Sequence, residues 1–293
     1  VTWGSAIFQT ANFAGPALGG LLYTLPLAQW RPGMGTRLEG AGIAYVFMLA
    51  MLVWFLLLVG SLKVRLGRME QRAASMEVVL AGFKYVWRRS LLLGAISLDL
   101  FAVLLGGAVA LMPIFASDIL RTGPRGLGLL RAAPAVGALM MSLALARFPI
   151  SRQAGKRMFV AVAIFGVATV IFGLSHNLWL SMGALAIGGA ADMISVIIRG
   201  SVLQLATPAE MRGRVSAVNS LFIGASNELG EFESGLTAQW WGAVRATVVG
   251  GVASIAVAGT WAGLFPDLRR ADRMTAGELR GRKVGEAKAK ARS

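Results

Sequence analysis

Three ionisable side chains interrupt long apolar stretches of this 293-residue chain. Asp99 lies in one stretch, and Asp192 and Arg199 lie in another. An ionised group at the centre of a membrane costs roughly 2.5–3.5 kcal/mol on insertion scales, so such groups face protein or water and often mark function. Desolvation favours a protonated carboxyl group and a neighbouring arginine favours the ionised form. Each aspartate is therefore a candidate for proton exchange; the alternative is a fixed ion pair or a hydrogen bond between helices.

The spacing of Asp192 and Arg199 constrains their partners. Two helical turns separate them, which places both on one helix face. The rise between them is about 10 Å, too long for an ordinary contact between residues four apart. We therefore expect each to pair with a residue of another helix, and Arg199 to set the protonation of such a neighbour.

Three glutamates crowd a third stretch, at Glu228, Glu231 and Glu233. At about 100° per residue, Glu228 and Glu231 share a helix face and Glu233 points away from it. Three ionised carboxylates this close repel each other in a dry bundle, so some must be protonated, paired or facing water. The functional interpretation is a vestibule that attracts cations, and the structural one is pairing with Arg131 or Arg199.

Two further motifs are candidates for conformational roles. Gly15, Pro16, Gly19 and Gly20 combine a proline, which removes a backbone donor, with glycines that let a neighbouring helix approach closely. A deformable helix of an alternating-access transporter needs both devices, although plain helix packing also explains them.

A short charged motif precedes the stretch with the three glutamates. It consists of Glu210, Arg212, Gly213 and Arg214. Such a loop can latch one state of a moving bundle, and we interpret it as a cytoplasmic gate. The alternative is that its arginines only hold the loop inside the cell.

The elements that must position these residues are membrane helices. Apolar residues make up 56% of the chain and charged residues only 15%, too few for a soluble protein of this size. About 20 residues cross a hydrocarbon core, and eight stretches are long enough. They lie near residues 4–28, 42–62, 91–116, 126–147, 158–175, 178–206, 213–241 and 246–265. The apolar runs do not alternate as barrel strands do, so the fold class is an all-α polytopic membrane bundle.

The basic residues set the predicted orientation. Most of the 29 lysines and arginines follow the even-numbered spans or lie in the tail. By the positive-inside rule these segments are cytoplasmic, so the first span runs outward and the C-terminus is inside. We expect a multi-pass protein of the inner (plasma) membrane. The net charge of +15 follows this topology rather than one folded face, which argues against nucleic-acid binding.

The longest internal connection, residues 63–90, carries a helical apolar pattern. Its apolar positions follow helical spacing at Met76, Val79, Leu80, Phe83, Val86 and Trp87. An amphipathic helix at the inner membrane interface fits this pattern, and so does a linker helix packed under the bundle. After Pro266 the chain is polar and basic, so residues 267–293 are expected to form a solvated tail near anionic lipid.

Composition also argues against an enzyme. The chain has no Cys and one His, His176, which leaves no basis for thiolate sites, clustered metal ligands or a His-based triad. We therefore predict no catalytic residues, no metal and no cofactor.

Several stretches resemble exporters of the major facilitator superfamily. Residues 11–20, A-N-F-A-G-P-A-L-G-G, are similar to the Gly-Pro motif of the fifth helix in these exporters. Residues 207–219, T-P-A-E-M-R-G-R-V-S-A-V-N, resemble the loop before the eleventh helix in the branch called transmembrane secretion effectors, which is related to enterobactin exporters. Residues 221–235 also resemble that branch.

The resemblance implies how the chain is divided. Residues 1–62 would be the last two helices of an N-terminal half, 63–90 the cytoplasmic connection, and 91–266 the C-terminal six-helix half. Eight spans would then match helices five to twelve of twelve, and we expect the first four helices to be missing from this sequence.

The resemblance also implies a function. It points to proton-coupled efflux of small amphiphilic molecules of drug or siderophore type, by alternating access in a bacterial membrane. The implied partners are a small-molecule substrate, protons and membrane lipid, with a monomeric full-length protein. An importer or facilitator of the same fold, and a non-transporting scaffold or receptor, remain alternatives.

Overall fold

The chain folds as a helical bundle. The computed structural model describes residues 15, 18, 41–61, 76–148, 150 and 153–271, and these contain helices and no strand. Within these ranges, the α-helices of four or more residues are α1 (Ala41–Ser61), α2 (Met76–Trp87), α3 (Ser90–Gly106), α4 (Gly123–Arg147), α5 (Ala154–Leu174), α6 (Leu178–Ala206), α7 (Ala209–Trp241), α8 (Ala243–Leu264) and α9 (Pro266–Arg269).

The predicted spans coincide with these helices wherever the structure describes them. Among the residues that the structure describes, five segments are long and apolar enough to cross a membrane: Ser90–Ile119, Gly123–Arg147, Ala154–Leu174, Leu178–Ala206 and Ala243–Leu264. In α1 the apolar segment is Tyr45–Ser61. Helix α7 is 33 residues long but more polar, because it carries the three glutamates. The all-α membrane fold is confirmed, and the predicted span at 4–28 lies outside the described residues apart from Gly15 and Leu18.

Glycines bring the spans into close contact. Helix α4 packs on α6, and α5 packs on both α6 and α8. A Cβ atom added to Gly189 of α6 would meet the carbonyl oxygen of Pro134 in α4, and one added to Gly137 of α4 would meet that of Ala186. Without a hydrophobic force between helices in lipid, such small residues let van der Waals packing hold the bundle together.

The third predicted span is broken, which corrects the continuous helix expected at 91–116. Helix α3 ends at Gly106, and a 3₁₀ segment Ala108–Leu111, one turn Met112–Ile114 and a π-helical segment Phe115–Ile119 follow. Gly107 has the non-helical dihedral angles φ −67° and ψ 75°. Pro113, which has no N–H, is the second residue of the α-helical turn after the 3₁₀ segment, so the normal bond from residue 113 to the carbonyl of Val109 cannot form.

Helix α2 has a packed side and an open side. A Cβ atom on Gly82 would come within 2.8 Å of the Arg214 carbonyl oxygen of α7, and Val86 is buried. Phe83 stacks on Phe222 of α7 with ring centroids 6.0 Å apart. Leu80 and Trp87 are nevertheless 57% and 63% exposed. Helix α2 therefore packs on α7 with one side and leaves its other side exposed, and its location at the membrane interface stays a prediction.

Candidate functional site

A buried ion pair joins two spans. The Arg199 guanidinium of α6 contacts the Asp99 carboxylate of α3, and the residues are only 4% and 5% exposed. Asp99 lies about 14 Å along α3 and Arg199 about 10 Å from the end of α6, so the pair lies inside the bundle and away from the ends of both helices. This meets the expectation that Arg199 pairs with another helix. It is the only ion pair within the described part of the chain.

Two more polar residues share the face of α6 that carries Arg199. Ser195 is 2% exposed, and its hydroxyl group has no hydrogen-bond partner among the described residues. Asp192, one turn before Ser195 in the helix, is half-buried. Its spacing from Arg199 keeps it out of the ion pair, as the helical rise predicts. Asp192, Ser195 and Arg199 therefore form a polar stripe on α6 that meets α3 at one end.

The face of α3 beside the ion pair is fixed by a neutral contact. The indole N–H of Trp261 in α8 donates to the hydroxyl of Ser97 at 2.9 Å, and that hydroxyl donates to the Leu93 carbonyl at 2.6 Å. The Phe101 ring packs on Trp261 with centroids 5.1 Å apart. These contacts orient α3 so that Asp99 faces α6.

A second polar constellation lies at the break in the same span. The Ser234 hydroxyl of α7 donates to the Gly107 carbonyl at 2.7 Å, and the Ser254 hydroxyl of α8 donates to the Ala102 carbonyl at 2.9 Å. A break frees backbone groups that lipid cannot satisfy, so neighbouring helices must supply partners. The sequence contains two signals for this break, the adjacent pair Gly106–Gly107 and Pro113, and the prediction missed both. It also missed Ser195, Ser234 and Ser254 as polar contacts between helices.

The glutamates of α7 stand apart from the ion pair. Glu228 and Glu231 are exposed, and Glu233 is half-buried. None of them pairs with Arg131 or Arg199 in the described residues, because Arg199 contacts Asp99 and Arg131 is exposed on α4. The shared face predicted for Glu228 and Glu231 is thus an open acidic face.

The predicted gate motif lies in a helix instead of the loop. Helix α7 begins at Ala209, so Glu210, Arg212, Gly213 and Arg214 occupy its first two turns. The Arg212 Nε–H donates to the Thr207 carbonyl at 3.3 Å, just beyond the end of α6. Arg89 donates to the Ala206 carbonyl at 3.2 Å. Two guanidinium groups therefore satisfy the carbonyl end of α6, where the helix dipole favours positive charge.

The Gly-Pro motif falls mostly outside the described residues. Pro16, Gly19 and Gly20 are not described, while Gly15 is helical and exposed. An added Cβ atom on Gly15 meets no other atom within 4 Å. Its conformational role stays a prediction.

The described residues offer charge and hydrogen bonds rather than covalent chemistry. No group of three or more His, Asp or Glu side chains that could hold a metal ion occurs among them. What the bundle provides is the buried Asp99 carboxylate, held by the Arg199 guanidinium of another helix.

The chain is similar to bacterial membrane transporters. It is 28% identical to the multidrug efflux pump Tap of Mycolicibacterium fortuitum over 91% of this chain and 63% of that protein. It is 26% identical to the enterobactin exporter EntS of Shigella dysenteriae over 69% of this chain and 45% of that protein. An uncharacterized transporter of Bacillus subtilis, YvqJ, is 29% identical over 56% of this chain and 38% of that protein. The chain thus spans less than two thirds of these relatives, and no solved structure matches it significantly.

The family assignment rests on nearly the whole sequence. The sequence profile of transmembrane secretion effectors matches residues 1–284. The all-helical membrane fold and the buried ion pair between spans agree with a multi-pass transporter. This chain belongs to the transmembrane secretion effector family of major facilitator transporters.

Proposed function

We propose that the chain acts in proton-coupled efflux of small amphiphilic molecules across a bacterial inner membrane. The observation that carries the proposal is the Asp99–Arg199 pair, buried within the membrane span and joining α3 to α6. The multidrug and enterobactin exporters among the relatives support the direction and the substrate class.

In this mechanism a proton and the arginine compete for Asp99. When the carboxylate is ionised, the pair ties α3 to α6. When Asp99 binds a proton, the attraction to Arg199 is lost and the two helices can separate. Proton binding and substrate binding would then favour different conformations of the bundle, which is the condition for coupled alternating access. Asp192, on the same face of α6, is the second candidate for the coupling carboxylate.

The acidic face of α7 supports a preference for cationic substrates. Glu228 and Glu231 are exposed on one helix face, so their charges can raise the local concentration of cations before they reach the bundle interior. An amphiphilic cation has both an apolar part for the bundle and a charge for these carboxylates. We assign Glu210, Arg212, Gly213 and Arg214 to the cytoplasmic gate, because Arg212 links the start of α7 to the end of α6.

The proposal includes a topology and a set of partners. The basic loops and the C-terminal tail face the cytoplasm by the positive-inside rule. The partners are the exported small molecule, protons and membrane lipid, and the working unit is a monomer. Because the chemistry is transport, we propose no enzymatic activity.

The test follows efflux and proton movement together. Cells that express the gene are loaded with ethidium, a fluorescent amphiphilic cation, or with enterobactin, and efflux is measured with and without a proton gradient. Asp99→Asn and Asp192→Asn are then compared in proteoliposomes containing a pH-sensitive dye. We expect substrate addition to drive proton movement in proteoliposomes of the wild-type protein. We expect Asp99→Asn to reduce this proton movement at least tenfold.

The outcomes separate the alternatives. Unchanged substrate-driven proton movement in both variants would reject proton coupling through these carboxylates. Substrate accumulation inside cells would indicate an importer or a facilitator. A scaffold or receptor would transport neither probe. It would also show no substrate-dependent protection from labelling at cysteines introduced beside Asp99 and Asp192.

A further inference from the structure

An apolar groove of about 270 Å³ opens between α5 and α6. Its lining is entirely apolar and includes Val160, Ala163, Ile164, Val167, Ala184 and Ile187. Alanines form part of its floor, whereas Val160, Ile164 and Val167 are exposed along one face of α5. A groove with apolar walls on a membrane-spanning helix fits a hydrocarbon chain.

Four exposed basic side chains lie at the end of the bundle where α5 begins. Lys156 and Arg157, in the first turn of α5, are exposed and share the face of Val160 and Ile164. Arg269 and Arg270, at the end of α9, are exposed as well. The half-buried Asp267 is the one carboxylate in this short helix.

A backbone contact places the start of α5 and the end of α9 at the same end of the bundle. The Gly155 N–H of α5 donates to the Ala271 carbonyl at 3.1 Å. A Cβ atom on Gly155 would meet the Leu268 carbonyl oxygen, so only glycine allows α9 to lie this close to α5. Leu268 is completely buried, which anchors α9 under the bundle. The four basic residues therefore lie at one end of the bundle, and we name them the α5–α9 basic patch. Of these four, Lys156 and Arg157 share the helix face that borders the groove.

The distance between the patch and the groove matches a phospholipid. From Arg157 to Val167 the helix rises about 15 Å. Half of a ~30 Å hydrocarbon core is also about 15 Å. A headgroup at the α5–α9 basic patch would thus place its acyl chain along Val160, Ile164 and Val167, within one leaflet.

We propose that the α5–α9 basic patch and the α5–α6 groove form a binding site for one anionic phospholipid of the leaflet at this end of the bundle. Clusters of four or more basic residues beside a membrane helix attract anionic headgroups, by about a fivefold gain in affinity per charge. The same charges disfavour a second copy of this chain as the occupant, because two such patches repel each other. The proposal does not depend on the transport function.

The test uses the purified chain in detergent and native mass spectrometry. Phosphatidylglycerol and phosphatidylcholine with the same acyl chains are titrated separately, and bound lipid is counted. The charge variant is Lys156→Gln with Arg157→Gln. The matched control is Arg125→Gln with Arg131→Gln, which removes two exposed cations from the opposite end of the bundle.

We expect the wild-type chain to retain phosphatidylglycerol over phosphatidylcholine. The affinity of the charge variant for phosphatidylglycerol should be at least tenfold lower than that of the wild-type chain. The affinity of the control variant should be less than twofold lower. Ala163→Phe, which fills the groove, should lower the binding of both lipids. Should Ala163→Phe fail to fold, Ile187→Trp serves the same purpose at an exposed position.

Four results would overturn the proposal. They are equal binding of the two lipids by the wild-type chain, an equal loss in the charge variant and the control, full competition by soluble glycerol phosphate, and dimers that form when lipid is removed. The third would mean that the groove takes no part, and the fourth would assign the groove to a second copy of this chain.

Discussion

Two polar constellations hold the span that begins with α3, and they differ in charge. Nearer its start, Asp99 pairs with Arg199 of α6. Further along, at the break, the Ala102 and Gly107 carbonyls accept hydrogen bonds from Ser254 and Ser234. Both constellations are buried and both tie α3 to neighbouring helices. Only the first contains a group that gains or loses charge when it binds a proton.

The charge of each contact determines whether a proton can change it. A hydroxyl bonded to a carbonyl is neutral in all states, so it fixes α3 to α7 and α8 regardless of pH. A buried ion pair is costly to break, since a lone charge remains in a medium that solvates it poorly. A proton on the carboxylate changes that balance directly. One end of the α3 span is therefore held by neutral contacts, and the other end is held by the ion pair through which we propose proton coupling.

The largest expected effect comes from removing Asp99 alone. Asp99→Asn leaves the Arg199 guanidinium buried without its counter-charge, and arginine cannot neutralise itself by losing a proton. We expect a loss of about 3–5 kcal/mol in stability, measured as a lower melting temperature in detergent. The double variant Asp99→Asn with Arg199→Gln is the control and should recover most of the loss. Equal stability of the single and double variants would contradict a buried ion pair.

A smaller and pH-dependent effect is expected from Arg199→Gln. This substitution leaves the Asp99 carboxyl group, which can bind a proton and become neutral. The deficit relative to the wild-type chain should therefore be larger at pH 8 than at pH 5, and about 1–3 kcal/mol at the higher pH. Thermal unfolding at the two pH values measures it. A deficit that does not change with pH would mean that Asp99 does not take up a proton.

The neutral constellation should respond more weakly still. Ser234→Ala and Ser254→Ala each remove one hydrogen bond to a carbonyl, at a cost of about 1 kcal/mol. Neither loss should change between pH 5 and pH 8, because neither group titrates. A pH-dependent loss in Ser234→Ala would break the contrast between the two constellations. Ser61→Ala, which removes an exposed hydroxyl bonded to the Leu58 carbonyl of its own helix, is the matched control.

The smallest effect is expected at the end of α6. Arg212→Gln removes one donor from the Thr207 carbonyl and one charge from the helix terminus. The expected loss is about 0.5 kcal/mol, which should fall as salt screens the charge. Melting temperatures at low and high salt test this. A larger effect on transport rate than on stability would support the gate assigned to Arg212.

The sequence predicted the helices better than their interruptions. Apolar runs identify spans, and helix α5 begins at Ala154 where the run was expected from residue 158. The break at Gly107 went unpredicted because hydropathy is continuous across it, while the break depends on backbone hydrogen bonds. Helix α7 begins at Ala209 because Thr207 and Pro208 end the preceding helix. The charged motif from Glu210 to Arg214, predicted to be a loop, is therefore helical.

The candidate site was predictable in part. Spacing on α6 showed that Arg199 needed a partner elsewhere, but only the packing of α3 against α6 identifies Asp99 as that partner. Ser195 had no sequence signal, because a serine in a span is common. Glu228 and Glu231 illustrate the converse, since helical spacing alone predicted their shared face.

The most direct test of proton coupling through the Asp99–Arg199 pair is to measure proton release when substrate binds. Ethidium is added to the purified protein in weakly buffered detergent, and the pH change is recorded for the wild-type chain, Asp192→Asn and the double variant Asp99→Asn with Arg199→Gln. At a pH low enough to protonate Asp99, we expect proton release from the wild-type chain and from Asp192→Asn, and none from the folded double variant. Release of the same number of protons by the double variant would contradict it.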